Sequence, residues 1–125
     1  MATHSPTADT ESVLNHHLDA FADQDMEEMM ADYTEDSVVI TSTKGTFRGL
    51  DEIQTLFEQF FAEFSQSPVE FAMDEQQVED DIAYIRWHAE TPEQVYEFAT
   101  DTFLIRDGII ETQTFAAKTT PKNED

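Results

Sequence analysis

Two ionisable side chains lie among apolar neighbours, and their chemical types suit proton transfer. Asp101 lies within the stretch 96–108, YEFATDTFLIRDG, which reads as one strand that ends in a turn. Because alternate residues of a strand share a face, Asp101 lies on the same side as Phe103. His17 lies four residues before Phe21, on the apolar side of a helical pattern. We predict that Asp101 and His17 act as an acid and base pair, since both groups exchange protons near neutral pH when suitably placed.

Each of these residues also has a purely structural interpretation. Asp101 could be a core carboxylate that neighbouring strand or helix residues satisfy, because structural networks perturb carboxylates just as active sites do. His17 could be a core histidine that is hydrogen bonded to another side chain, whereas the adjacent His16 is expected to face outward. The sequence leaves both alternatives open, because one chain does not fix the strand registers.

The elements that must position these residues follow from the spacing of apolar side chains. Three helical patterns come first, at about residues 9–22, 26–33 and 50–64. A β-branched strand, SVVITST, and a turn with two glycines, KGTFRG, separate the second helix from the third. Four strands follow, at about 69–78, 82–90, 95–106 and 109–117, and short links join them as hairpins. This order predicts an α+β fold in which a curved antiparallel sheet wraps three N-terminal helices.

The length of 125 residues fits one domain, which we place at residues 9–118. Ten phenylalanines supply enough apolar material for a single core. The polar segments 1–8 and 119–125, each of which contains a proline, are predicted to be flexible tails.

The charge of the chain is extreme, with 28 acidic residues against 6 Lys and Arg and a net charge of −22. Such a surface repels nucleic-acid phosphates and anionic lipid, so neither nucleic acid nor a membrane is an expected partner. Salt of about 1 M would screen the self-repulsion, and acidic residues spread along the whole chain resemble the composition of proteins from salt-accumulating halophiles. An acidic docking surface would instead concentrate its charge in one segment.

The chain lacks the residues that several kinds of chemistry need. The chain has no cysteine, and its four histidines do not have metal-ligand spacing, so neither thiolate chemistry nor a metal site is expected. Only three glycines occur, without a phosphate-binding motif, and no cofactor is predicted. No apolar run approaches the ~18 residues of a membrane span and no signal peptide is recognised, so a cytoplasmic location is expected.

Three segments resemble the SnoaL-like branch of the nuclear transport factor 2-like superfamily. They are DAFADQDMEEMMADYTEDSVVI, GTFRGLDEIQTLFEQFF and DTFLIRDGIIETQTF, and the similarity spans about residues 13–117. The resemblance implies a cone-shaped α+β barrel, a pocket between the long helices and the concave sheet, and a homodimer packed through the sheet. This family includes ketosteroid isomerases, polyketide cyclases, limonene epoxide hydrolases, dehydratases and many proteins with no known reaction, so the fold does not supply the activity.

The resemblance also implies roles for single residues. Asp101 takes the place of a pocket aspartic acid in ketosteroid isomerases and of an acid/base aspartate in polyketide cyclases. His17, sixteen residues before Tyr33, takes the place of the oxyanion tyrosine of ketosteroid isomerases. Thr41 lies eight residues after Tyr33, in place of the aspartate that abstracts the substrate proton. Threonine cannot be that base, so steroid isomerisation by the usual route is not expected. Thr41 is instead predicted to orient a ligand by hydrogen bonding.

Residues on inward-facing positions are predicted to contact the ligand. They are Tyr33, Thr41, Trp87, Gln113 and Phe115. Strand alternation places Trp87 inward, as a pocket wall or as plain core, and His88 outward. Gln113 and Phe115 share one side of the last strand, which the resemblance turns toward the pocket.

Two functional hypotheses fit this pattern. In the first, the protein is a cofactor-independent isomerase, cyclase or hydrolase of a small apolar molecule, and Asp101 and His17 are its acid and base. In the second, a homodimer of the same fold binds a ligand or a protein partner without catalysis. The opposite face of the sheet would form the dimer contact in either case, because it carries a row of threonines that suits a partly polar interface. These are Thr100, Thr102, Thr112 and Thr114.

Overall fold

The predicted α+β architecture is confirmed by the computed structural model, which describes residues 6–66 and 69–122. The helices are α1 (Pro6–Asp23), α2 (Met26–Met30) and α3 (Gly49–Phe64). The strands are β1 (Val38–Thr41), β2 (Gly45–Arg48), β3 (Glu70–Glu79), β4 (Ile82–Glu90), β5 (Gln94–Arg106) and β6 (Ile109–Pro121). No helix among these described residues is long and apolar enough to cross a membrane.

The six strands form one sheet in the order β2-β1-β6-β5-β4-β3. All neighbouring strands are antiparallel except β1 and β6, which run parallel and pair Val39 with Gln113. The segment KGTFRG was predicted as a turn, but most of it forms strand β2, in which Phe47 pairs with Val39. Phe47 is half-buried against the core, and this packing explains why the segment is extended between its two glycines.

Bulges and tight turns bend the long strands. Register shifts interrupt the pairing between Trp87 and Ala89 of β4 and between Tyr96 and Phe98 of β5. Such bulges increase strand twist and curl a sheet around the elements on its concave side. Asp107 and Gly108 both have positive φ and close the hairpin between β5 and β6, as a type I′ turn requires.

Helix α3 lies against the sheet because its apolar residues recur at helical spacing and form one continuous buried face. Its buried side chains are Ile53, Leu56, Phe57 and Phe60. At its C-terminal end the Glu63 carboxylate accepts hydrogen bonds from Tyr96 at 2.8 Å, Thr91 at 2.9 Å and Gln94 at 3.0 Å. This network fixes the end of α3 to the hairpin between β4 and β5.

The chain ends differ from the predicted tails. Helix α1 already begins at Pro6, and β6 continues to Pro121, where Thr119 and Thr120 pair with Tyr96 and Val95. Residues 119–121 are therefore part of the sheet, because β5 offers them a continuous partner strand. Of the other residues predicted as tails, 1–5 and 123–125 lie outside the described part of the chain.

Substitution of Leu14 on α1, whose side chain is fully buried, tests the packing of the helices on the sheet. We expect Leu14→Ala to lower the free energy of unfolding by about 2–5 kcal/mol, because it leaves a cavity between elements that cannot collapse freely. The control is Ile82→Ala, which removes a side chain that is 41% exposed and should cost less than about 1 kcal/mol. Urea unfolding in molar salt measures both, and equal losses would contradict this packing.

Candidate functional site

A cavity of about 300 Å³ lies between α1, α3 and the concave face of the sheet. Its walls are mainly apolar and come from both long helices and from the strands of the sheet. The apolar lining residues are Leu18, Phe21, Ala22, Val39, Leu56, Phe57, Phe60, Phe64, Val69, Phe71, Met73, Ile85, Trp87 and Phe115. Phe71 and Ala22 are exposed at the mouth. Of the four polar lining residues, Asp101, Gln113 and His17 are buried, whereas Gln24 is half-buried. The cavity therefore has an apolar entrance and a polar inner end.

The strand registers explain why Asp101 faces this inner end. Asp101 pairs with Ile85 of β4 on one side and with Phe115 of β6 on the other. Side chains of directly paired residues lie on the same face of a sheet, and both partners are buried on the concave face. Asp101 is likewise only 7% exposed. Asp101 therefore shares the concave face with Phe103, the residue with which strand alternation grouped it.

Two hydrogen-bond donors hold the Asp101 carboxyl. Trp87 Nε1 donates to Oδ1 at 3.0 Å, and Gln113 Nε2 donates to Oδ2 at 2.9 Å. The amide oxygen of Gln113 is in turn occupied, because the Tyr33 hydroxyl donates to it. A chain of hydrogen bonds thus runs from Tyr33 through Gln113 to Asp101, and it fixes the direction in which the amide points.

Burial dominates the acidity of Asp101. Removal of the carboxyl from water disfavours its charged form and raises its pKa from 3.8 to about 6, although the hydrogen bonds from Trp87 and Gln113 act in the opposite direction. Asp101 is therefore a group that changes its charge close to neutral pH. This property suits an acid or base more than a structural carboxylate.

His17 also lies at the inner end but has a different environment from the predicted one. Its ring packs edge-on against Phe103, with centroids 5.2 Å apart, and against Phe57 and Tyr33 at 6.0 and 6.2 Å. Burial in these rings disfavours the imidazolium, and the nearby His16 adds to the effect, so the pKa of His17 falls to about 4. No hydrogen bond joins His17 to Asp101 in the described part of the chain. The acid and base pair therefore stays a prediction: both residues line the cavity, and aromatic rings surround His17.

Two predicted ligand contacts are absent from the described lining of the cavity. Tyr33 is buried and uses its hydroxyl on Gln113, so it supports the site from behind. The Thr41 hydroxyl donates to the carbonyl of Gly45 at 2.9 Å and accepts from the Lys44 amide at 2.8 Å. Thr41 consequently stabilises the turn between β1 and β2.

The other predicted contacts, Trp87, Gln113 and Phe115, do line the cavity. The Trp87 ring is stacked on Phe115, with centroids 6.1 Å apart, and the two form one wall. His88 is exposed on the outer face, as predicted, and lies 2.8 Å from Asp74. Among the described residues, no group of three His, Asp or Glu side chains has an arrangement that could hold a metal ion.

Sequence reasoning missed several contributors to the site. Phe71 and Met73 on β3 form part of the mouth, although nothing in the sequence distinguishes them from core residues. His16, which was expected only to face outward, accepts or donates hydrogen bonds at 2.8 Å with both Asp32 and Glu28. It thereby links α1 to α2 and to the loop that carries Tyr33. The sequence shows only that Asp32 follows His16 by sixteen residues. This spacing does not indicate a contact within one helix or strand.

The pH dependence of stability tests the burial of Asp101. The folded carboxyl has a pKa of about 6 and the free one 3.8, so proton binding stabilises the fold below pH about 4, and this contribution is lost as the pH rises through 6. The unfolding free energy of Asp101→Asn minus that of the wild type should therefore rise by about 2 kcal/mol between pH 4 and pH 7. Urea titrations in molar salt measure it. Asp107→Asn in the exposed turn serves as the control, and a flat difference for Asp101→Asn would contradict the burial.

Solved structures share this fold at low sequence identity. A nuclear transport factor 2-like protein of unknown function from Mesorhizobium loti has a TM-score of 0.78 and 17% identity, over 94% of this chain and 97% of that chain. A protein named as a candidate ketosteroid isomerase from Kribbella flavida has a TM-score of 0.75 and 13% identity, over 97% and 86%. An LEH-like epoxide hydrolase from M. tuberculosis has a TM-score of 0.71 and 15% identity, over 90% and 84%. At these identities the likeness shows the fold alone.

A comparison with curated proteins gives no match. The SnoaL-like domain family, in contrast, matches residues 14–112, which include all three helices in part or whole and most of the sheet. The matched range contains Asp101, Trp87 and His17, and it ends one residue before Gln113. The chain therefore belongs to the SnoaL-like family and has the nuclear transport factor 2-like fold.

Proposed function

We propose that the cavity binds a small, mainly apolar molecule and that Asp101 exchanges a proton with it without the help of a cofactor. The observation that supports this proposal is the position of Asp101: one titrating carboxyl at the inner end of an apolar cavity of about 300 Å³. Cavities of this size and composition, with a few convergent polar groups, are typical of small-molecule sites.

The hydrogen bonds around Asp101 support proton exchange with a ligand. Trp87 Nε1 can only donate, and Gln113 is held with its amide nitrogen toward the carboxyl because Tyr33 occupies its oxygen. Neither neighbour accepts the proton of a neutral Asp101. That proton is therefore available to a molecule in the cavity, and the ionised carboxyl is held ready to take it back.

The presence of a single titrating carboxyl, that of Asp101, favours one class of reaction. An isomerisation or a cyclisation can move a proton from one atom of a molecule to another, so a single carboxyl can take it and return it. Hydrolysis of an epoxide in this fold would need an Asp-Arg-Asp arrangement around a water. Arg86 instead lies exposed on the outer face and pairs with Glu75 at 3.6 Å. An isomerase or cyclase of an apolar substrate is thus the favoured enzyme.

A non-catalytic binding protein is the second candidate. It is favoured by the environment of His17, which packs among aromatic rings and makes no hydrogen bond to Asp101 in the described part of the chain. With Thr41 engaged in a turn, His17 is the other residue with a basic side chain among the described residues that line the cavity, and burial disfavours its cation. In this case Asp101 would serve only to anchor a polar group of the ligand.

The enzyme and the binding protein are distinguished by Asp101→Asn, which keeps the size of the side chain and removes its titration. For an enzyme, we expect the variant to bind ligands within about threefold of the wild type and to lose at least ~100-fold in turnover, because general acid–base catalysis contributes 10²–10⁴-fold. A screen of small cyclic enones and ketones by NMR, with Asp107→Asn as control, measures both quantities. Equal turnover by the wild type and Asp101→Asn would remove the catalytic role.

We also propose that the outer face of the sheet forms a homodimer. Thr102 and Thr114 pair there across β5 and β6, and Ile40 beside them is 45% exposed. A flat face with threonines and exposed apolar side chains suits a partly polar interface. A protein-interaction role without a ligand would use this same face.

Charged side chains at this face test the dimer. The double variant Thr102→Lys and Thr114→Lys places ammonium groups at the centre of the interface, where they would lose water, and we expect it to raise the dimer dissociation constant at least tenfold. Sedimentation in molar salt measures the effect against Thr55→Lys on the exposed side of α3. A wild-type protein that sediments as a monomer would overturn the dimer proposal.

The acidic surface supports a further proposal, namely that the protein works in a salt-rich cytoplasm. Four of the six basic side chains already pair with carboxylates, through Arg86, Arg106, Lys118 and Lys122. Exposed pairs of this kind contribute only about 0–1 kcal/mol each and do not offset a net charge of −22. Screening by concentrated salt would reduce the remaining repulsion.

A further inference from the structure

We propose that Gln24 is a ligand-binding residue at the mouth of the cavity, and that the ligand has a hydrogen-bond donor at each end with an apolar body between them. One donor meets Asp101 at the inner end, and the other meets the side-chain oxygen of Gln24, Oε1. This inference rests on the proposed function, because it assigns a ligand class to the same cavity. It gives the cavity a second polar contact, outside the buried inner end.

The first observation is a polar side chain in an apolar mouth. Gln24 lines the cavity and is half-buried, and it follows Phe21 and Ala22 of the same lining in the chain. Phe21 packs edge-on against Phe64 of α3, with ring centroids 5.5 Å apart. Ligand sites are mostly apolar and contain a few placed polar groups that fix the orientation of the ligand. Gln24 is such a group at the outer end.

The second observation is the backbone of Gln24. Its φ is 54°, in the left-handed region that favours glycine. The Gln24 amide donates to the Phe21 carbonyl and the Asp25 amide to the Ala20 carbonyl, both at 3.0 Å, which is the Schellman pattern at the end of a helix. Glycine is the usual residue at this position because it adopts the conformation without strain. A glutamine is costlier here, and such an outlier points to a role for its side chain.

The third observation is how the side-chain amide is held. Gln24 Nε2 donates to the Phe61 carbonyl at 3.2 Å, although that carbonyl already accepts a bond from the Ser65 amide at 2.9 Å. The carbonyl is thus satisfied without Gln24, and the effect of the second bond is to fix the planar amide of Gln24. No group among the described residues donates to Oε1. A molecule with a donor at the mouth would complete the hydrogen bonding of this amide.

Two acceptors therefore meet the ligand. Above its pKa of about 6, the Asp101 carboxylate accepts at the inner end, and Gln24 Oε1 accepts at the mouth. The walls between them are mainly apolar. The volume of about 300 Å³ equals that of roughly ten liquid water molecules, and a methylene group is about as large as a water molecule. A linear diol of about eight carbons has this size and carries a donor at each end.

Matched pairs of probes test the second donor. Each pair consists of a 1-alkanol and the α,ω-diol of the same chain length, from about four to ten carbons, at pH 8 in molar salt. In the wild type, the affinity of the diol relative to that of the alkanol should peak at one chain length, about fivefold above the other lengths. Only that length lets both hydroxyls reach an acceptor, and one added hydrogen bond allows an effect of about this size.

Three variants assign the peak to Gln24. Gln24→Leu removes the acceptor at nearly constant size and should abolish the peak. Gln24→Gly suits the left-handed backbone, so it folds even where Gln24→Leu does not, and it should abolish the peak as well. The control Gln54→Leu replaces an exposed glutamine on α3 and should keep the peak at the same chain length.

The outcomes separate this inference from the proposal beneath it. Methyl NMR titrations provide the dissociation constants. If the relative affinity of the diols varies smoothly with chain length, or if the peak survives in either Gln24 variant, Gln24 is not a ligand-binding residue although the cavity still binds the alkanols. If neither alkanols nor diols bind at millimolar concentration, the cavity is not a small-molecule site and the proposed function fails.

Discussion

The burial of one carboxyl group is the constraint on which the rest of the site depends. A carboxyl that leaves water must find donors or keep its proton, and Asp101 does both in part. Trp87 and Gln113 supply the donors, and each has a further consequence. The bond to Asp101 orients the indole that forms a cavity wall with Phe115, and the bond from Tyr33 sets the direction of the Gln113 amide. A single polar chain therefore joins β4, β5 and β6 to the loop after α2.

The cavity exists because the curved sheet encloses more space than the helices fill. Bulges in β4 and β5 bend the strands, while α3 is fixed at its C-terminal end by the contacts of Glu63 with Tyr96 and Thr91. Large aromatic side chains then line the gap without closing it. Stability and function are connected here, since the same phenylalanines that hold α3 on the sheet create the low-polarity surroundings that raise the pKa of Asp101.

Features that depend on local periodicity could be predicted from the sequence, whereas those that depend on tertiary packing could not. Strand alternation correctly put Asp101 on the side of Phe103 and turned Trp87 inward and His88 outward, because the side-chain period of a strand is local. It did not reveal that Tyr33 would bond Gln113, eighty residues away, or that Thr41 would serve a turn. Nor did it show the environment of His17. Like Asp101, His17 lines the cavity, but the packed rings of Phe57 and Phe103 around it disfavour its cation.

The central claim is that Asp101 carries an exchangeable proton near neutral pH at the inner end of the cavity. The most direct measurement is the carbon-13 NMR titration of its side-chain carboxyl in molar salt, repeated in His17→Phe. The structure predicts a pKa of about 6 in the wild type, raised by burial, and little change in the variant, because Trp87 and Gln113 rather than His17 hold the carboxyl. A pKa close to 3.8, the value of a solvated aspartate, would contradict the claim and leave Asp101 as an ordinary structural carboxylate.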